Sequence, residues 1–140
     1  MKQYLAHIRR DGSKEQSMED HLLRVGNLMK EDAARIGLSS LAYLIGVLHD
    51  LGKCSKDFAY YLDWCHKHPE DNSRKGTVDH SSAGGQFLMQ RYVRRGGAAL
   101  LTVHIAALVI FSHHTGLMNY LSEDGKSDFL RRMEKIDVPN

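Results

Sequence analysis

Residues 39–53 read SSLAYLIGVLHDLGK. From Leu41 to Leu51 the run is apolar on nearly every side of a helical projection, which marks a central helix rather than a surface one. A start after Ser39 or Ser40 and an end at Gly52 follow from the usual preferences at helix termini. The pair His49 and Asp50 then falls in the last turn, with Lys53 just beyond. An acid at that end opposes the helix dipole, so Asp50 calls for a cationic partner, a metal ion among the candidates.

Reading outward toward the N-terminus, Ser17 with Asp20 resembles a capping box, and Leu22, Val25, Leu28, Met29 and Ala33 form an apolar stripe. Gly37 supplies the stop, so a helix is expected over 17–36, with His21 in its first turn. Toward the C-terminus, Ser55 can cap a helix over 56–68, in which Phe58, Tyr61, Leu62 and Cys65 share a face and Pro69 closes the run. A polar loop, PEDNSRKGT, separates it from a fourth helix beginning near Asp79 or His80 and stopped by Gly96 and Gly97. AALLTVHIAALVIFSHH, residues 98–114, reads as a fifth, buried helix, and DFLRRMEKI from Asp128 as a short sixth. Alternation of apolar and polar residues bounded by turns is not apparent, and no internal repeat is visible. The expected fold is therefore all-α, a bundle of about five to six helices whose ends can converge on one site.

The 140 residues, 42% hydrophobic, suit one domain, 1–140, with its own core. A formal charge of +2 permits contact with phosphates without demanding it. Two isolated cysteines, Cys54 and Cys65, make no disulfide framework and fit a reducing cytoplasm. The N-terminal stretch lacks the apolar segment of a signal peptide, and no run is long enough to span a bilayer, so no membrane partner is expected.

Nine histidines stand out against one tryptophan and four phenylalanines. Six donors, His21, the His49 and Asp50 pair, His80, and the His113 and His114 pair, sit at predicted helix starts or ends in the order H, HD, H, HH. Adjacent residues point about 100° apart on a helix, so such doublets reach one site most easily at a terminus. Imidazoles with a carboxylate and no thiolate suit a transition ion with open positions, hydrolytic rather than structural. Other histidines read differently. His104 is expected to be a hydrogen-bonded core residue, His7 a surface residue, and His66 and His68 solvent-facing despite nearby Cys65. Arg91, Arg94 and Arg95 read first as a solvated helix face, with a DNA track as the sharper reading.

LHDLGK with the following S-K-x-F, the DHSSAGG box and the SHHTGL box, in this order, resemble the HD superfamily of metal-dependent phosphohydrolases. Within it they resemble the HD nuclease domain of the CRISPR-associated nuclease-helicase of type I interference systems, over about His21 to Leu117. That resemblance implies a nuclease cutting single-stranded DNA in antiviral defence. It implies one or two divalent ions, Mn, Ni, Co or Fe foremost, with Mg or Zn as further options. His21, His49 and Asp50 would hold a first ion, Asp50 would bridge, and His80, His113 and His114 would hold a second. Lys53 would stand beside them as a catalytic residue balancing phosphate charge. Partners would be single-stranded DNA, a helicase domain or subunit, and a guide-RNA surveillance complex.

The sequence departs from the family pattern in one respect. Members carry a further aspartate on a late helix; here Asp124 and Asp128 are the available carboxylates, both readable as loop or cap residues, and Asp128 is kept as a candidate ligand. The chain is accordingly expected to be a piece of a longer one, a compact variant, or a site with a weakened first ion. Gly125 to Ser127 mimics the end of a Walker A motif, but Tyr120 stands where the first glycine is required, so no helicase domain is expected. Two alternatives stay open: a nucleotide or cyclic-dinucleotide phosphohydrolase, and a degenerate HD module that only binds.

Overall fold

The computed structural model describes residues 4–9 and 11–135. A short antiparallel hairpin, β1 (Leu5–Ile8) and β2 (Glu15–Ser17), precedes the helices α1 (Met18–Asp32), α2 (Ser39–Leu48), α3 (Lys56–Lys67), α4 (Ala83–Tyr92), α5 (Gly97–Ser112) and α6 (Asp128–Met133). The helical bundle matches the expected class, and the hairpin is an addition to it. Its register pairs His7 with Gln16 and Ile8 with Glu15. The turn is built on Asp11, whose Oδ1 accepts the Ser13 N–H at 3.0 Å, and on Gly12 at φ 70°. Asp-Gly between short strands is a hairpin signal, and it is the cue that the sequence carries.

Helix boundaries follow local chemistry. Ser17 Oγ accepts the Asp20 N–H at 3.1 Å and starts α1, and Ser55 Oγ does the same for Phe58 at 3.1 Å in α3. A 3-10 turn over Ala33–Ile36 runs from α1 to Gly37 at φ 73°. Three expected bounds shift. α2 stops at Leu48, so His49 caps it and Asp50, at φ −111° and ψ 24°, has already left helical geometry for a 3-10 turn over Leu51–Cys54. α4 starts at Ala83 rather than near Asp79 or His80, because the Asp79 carboxylate takes the N–H groups of Ser81 and Ser82 and holds them in a turn. α5 starts at Gly97, after Gly96.

Two clusters form the core, and α5 contributes to both. Ile45, Leu88, Ala106 and Ile110 join α2, α4 and α5; Met89, Ala107, Phe111 and Phe129 join α4, α5 and α6. The fifth helix is buried on that side only. Leu101, Ile105 and Val109, four residues apart, remain in contact with solvent, so the expected buried helix is buried on one face. His104 behaves as a core histidine: Nδ1 lies 2.9 Å from the Leu100 carbonyl and its ring stacks on Phe129.

The approach of α1 to α2 is closer than side chains allow. A Cβ on Gly46 would lie 2.6 Å from Gly26 Cα, so the two backbones touch where they cross. On the other side of α2, a Cβ on Gly84 would overlap the Leu48 carbonyl oxygen. These contacts draw the start of α1, the end of α2 and the start of α4 to one end of the bundle. Among the described residues, no helix is long and apolar enough to cross a membrane.

Candidate metal centre

That end of the bundle gathers the other five donors around the Asp50 carboxylate. Asp50 has a side chain only 4% exposed, and its two oxygens face different partners. Oδ2 lies 3.1 Å from His21 Nε2, 3.2 Å from His49 Nε2 and 2.9 Å from Lys53 Nζ. Oδ1 lies 3.3 Å from His113 Nε2 and 3.9 Å from His80 Nε2. His114 joins the second side, with Nε2 2.8 Å from His80 Nε2. Two overlapping triplets thus have donor atoms spaced to hold an ion, His21, His49 and Asp50, and Asp50, His113 and His114; His80 belongs to neither triplet but stands beside the second.

Ring tautomers at two of these positions follow from the backbone. His49 Nδ1 is 2.7 Å from the Gly46 carbonyl and His113 Nδ1 is 2.6 Å from the Ile110 carbonyl. A carbonyl oxygen only accepts, so each Nδ1 carries the hydrogen and the neutral ring turns an Nε2 lone pair inward. This is the orientation that outer hydrogen bonds impose on ligating histidines. Both doublets achieve it in the same way, with the last turn of a helix supplying the carbonyl three residues back.

The arrangement fits a cation. Asp50 Oδ1 and His113 Nε2 are buried and have no hydrogen-bond partner among the described residues, although 3.3 Å apart. Two lone pairs facing each other in a dry site are costly without a positive charge between them. An imidazole and carboxylate donor set without sulfur suits a hydrolytic transition ion rather than structural zinc.

Electrostatics prepare the donors for the same role. Burial would raise the Asp50 carboxyl, but His113, His49 and Lys53 around it outweigh that and hold it far below the usual carboxylate range. Burial lowers His21, His80 and His114, keeping their rings neutral. His49 is the exception. Burial lowers it too, yet hydrogen bonds with Asp50 and the Gly46 carbonyl raise it above the ordinary value.

Lys53 stands behind the carboxylate. Its side chain is 6% exposed, and Nζ lies 5.7 Å from the centre of the Phe58 ring. Phe58 also packs edge-on against His80, so one apolar wall supports the ammonium and a candidate ligand together.

The remaining candidates separate. Asp128 lies at the first turn of α6 with Oδ1 2.7 Å from Arg131 Nη2, outside both triplets. Asp124 is an exposed loop residue bound to Ser122 and Lys126. His68 stacks on Trp64 and both His66 and His68 are exposed. Arg91, in the last turn of α4, and Arg94 and Arg95, in the 3-10 turn that follows it, are exposed, with Arg91 about 12 Å along the axis from the first residue of α4. His7, expected as a plain surface residue, is exposed, but the hairpin sets its ring edge-on against His21 with centroids 5.0 Å apart. Its place at the rim depends on the hairpin, so only the Asp-Gly turn carries a sign of it in the sequence.

A helical bundle whose helix ends converge on a histidine and aspartate cluster defines an HD-type domain. A family model described as Cas3, HD domain matches residues 3–135, and the chain belongs to that family of CRISPR-associated HD nucleases. No match is found among the curated proteins.

Proposed function

We propose that this domain is a metal-dependent nuclease that cleaves single-stranded DNA. The observation that carries the reading is the division of Asp50, with one oxygen toward His21 and His49 and the other toward His113 and His80, beside which His114 stands. Such a carboxylate suits a bridge between two divalent ions. When bound, the ions supply Lewis acidity at the phosphodiester and water acidified enough to attack it near neutral pH.

The chain's own residues do the rest. His49 and His113 present fixed Nε2 lone pairs, and Asp50 remains ionised throughout the neutral range. Lys53 keeps that carboxylate in place and offsets its charge. His114 is exposed at the rim, and the other donors lie at 4–23% side-chain exposure, recessed among helix ends. A flexible single strand can lower a phosphate to that depth, whereas a stiff duplex meets the rim first. DNA supplied as a single strand implies a helicase, as a domain or subunit, acting with a guide-RNA surveillance complex.

The test is cleavage of an end-labelled single strand by protein loaded with Mn, Ni or Co, beside His49→Ala and Asp50→Ala. Cutting by the wild type and its loss in both variants supports the reading. Wild-type protein that binds ions and leaves oligonucleotides intact while hydrolysing mononucleotides overturns it.

A further inference from the structure

We infer that Arg132 is a positioning residue for His80, acting through Asp79 and Ser81. The inference rests on the reading of His80 as a donor of the metal cage. His80 differs from its partners in how it is held. His49 and His113 each fix their rings through a short hydrogen bond from Nδ1 to a helix carbonyl, whereas His80 Nδ1 has only a 3.4 Å contact with the Val78 carbonyl. Its orientation must come from elsewhere.

The residues on both sides of His80 are bound to one guanidinium nitrogen. Arg132 Nη1 donates to Asp79 Oδ2 at 3.0 Å, to Ser81 Oγ at 2.8 Å and to Ser82 Oγ at 3.3 Å. Asp79 is well buried, and its oxygens also take the Ser81 and Ser82 N–H groups and the Lys135 ammonium. Behind His80 runs the Gly52 backbone, so near that a Cβ there would lie 2.6 Å from His80 Cα. In front, Phe58 and His114 meet the ring. The segment is thus clamped at both flanks by α6, from behind by the turn after α2, and touches the cage only at its tip.

Arg132 is itself secured. The fully buried Gln86 of α4 donates through Nε2 to the Arg132 carbonyl at 2.8 Å and to the Lys135 carbonyl at 2.6 Å. Phe129, one turn earlier in α6, is buried against Phe111. A helix some fifty residues downstream therefore sets the rotation of one imidazole, and the guanidinium does so without touching the cage. Outer partners of metal ligands change affinity by roughly 10–100-fold when removed.

Arg132→Met in the full chain tests this by two readouts. In chelated protein, NMR should show that the His80 and His114 rings no longer approach each other, while the His21 and His49 rings still do. In cobalt titration, affinity at the second site should fall by about tenfold or more, and by less than about twofold in a His80→Ala background, because the two changes act through one group. Arg132→Lys, which keeps a charge in reach of Asp79, should restore most of the affinity. Where Arg132→Met fails to fold, Ser81→Ala removes the hydroxyl's hydrogen bonds with Arg132 and Asp79 without changing charge and should loosen the same pair of rings in smaller measure. A folded variant in which His80 still meets His114, or an equal loss of affinity with and without His80, overturns the inference. A wild type that takes up no cobalt instead refutes the metal reading, and the ring geometry in chelated protein still decides the role of Arg132.

Discussion

Asp50 and Lys53 form a buried ion pair whose energetic signature separates folding from chemistry. Their side chains are 4% and 6% exposed, with Nζ 2.9 Å from Oδ2. Removing one partner of such a pair leaves an uncompensated charge and typically costs about 3–5 kcal/mol, while replacing both by neutral groups is often near neutral. The two halves are unequal here. Asp50 keeps imidazoles that can take a proton, but Lys53 has no second ion pair among the described residues. Asp50→Asn should therefore cost about 3–5 kcal/mol and Lys53→Met less, while the double variant recovers about 2–3 kcal/mol of the summed loss. Urea unfolding at neutral pH with chelator, read at constant m-value, measures this. Metal titration of the same proteins adds the chemical half. Lys53→Met removes a positive charge beside Asp50 Oδ2 and should bind cobalt more than about a hundredfold tighter, since two unit charges alone repel by roughly 3 kcal/mol at ~5 Å and an effective dielectric of about 20. Asp50→Asn and the double variant should lose binding. Single variants that each cost under about 1 kcal/mol and add without coupling would show a solvated pair, and the account of a dry, charge-balanced cage would fail.

Asp79 is held below its ordinary value of 3.8; burial would raise it, but Lys135, Ser82 and Arg132 prevail. Its contribution is fully present above that value and is lost as pH falls below it, so the stability gap between wild type and Asp79→Asn should narrow from about pH 4 downward in acid unfolding curves. Gly46→Ala places a methyl 2.6 Å from Gly26 Cα; overpacking outweighs the gain in helix propensity, and a net loss of about 1–2 kcal/mol should appear in thermal unfolding. Phe129→Ala empties a fully buried site against Phe111 and should cost about 3–5 kcal/mol by denaturant titration. Saturating manganese at a hundred times its dissociation constant should stabilise the wild type by about 2.7 kcal/mol, visible as a raised melting temperature that Asp50→Asn does not share.

The donor pattern is readable because helix termini and histidine doublets are local features. His49 and Asp50 follow an apolar run, His113 and His114 follow another, and each helix end exposes carbonyls that only a residue just beyond it can use. The division of labour within Asp50 is not readable from residue order, since it depends on which oxygen faces which helix. That in turn depends on Gly26 meeting Gly46 and Gly84 meeting Leu48, contacts between segments with no sequence signature except small residues. The hairpin escapes because three- and four-residue strands carry too short an alternation to register, although Asp11 and Gly12 mark the turn. The buried face of α5 is legible and its exposed face is not, because a helix of uniform hydrophobicity does not say which side lacks a neighbour. Arg132 escapes for a deeper reason. Its guanidinium serves a carboxylate 53 positions earlier, and a basic residue on a short amphipathic helix reads as surface until tertiary packing supplies Asp79. The cage is therefore encoded at two ranges: donor identity in local sequence, and donor orientation in contacts that exist only after the last helix has docked. If that order holds, a change that undocks α6, such as Phe129→Ala, should disturb His80 before His49 or His113, whose rings are fixed by carbonyls of their own helices.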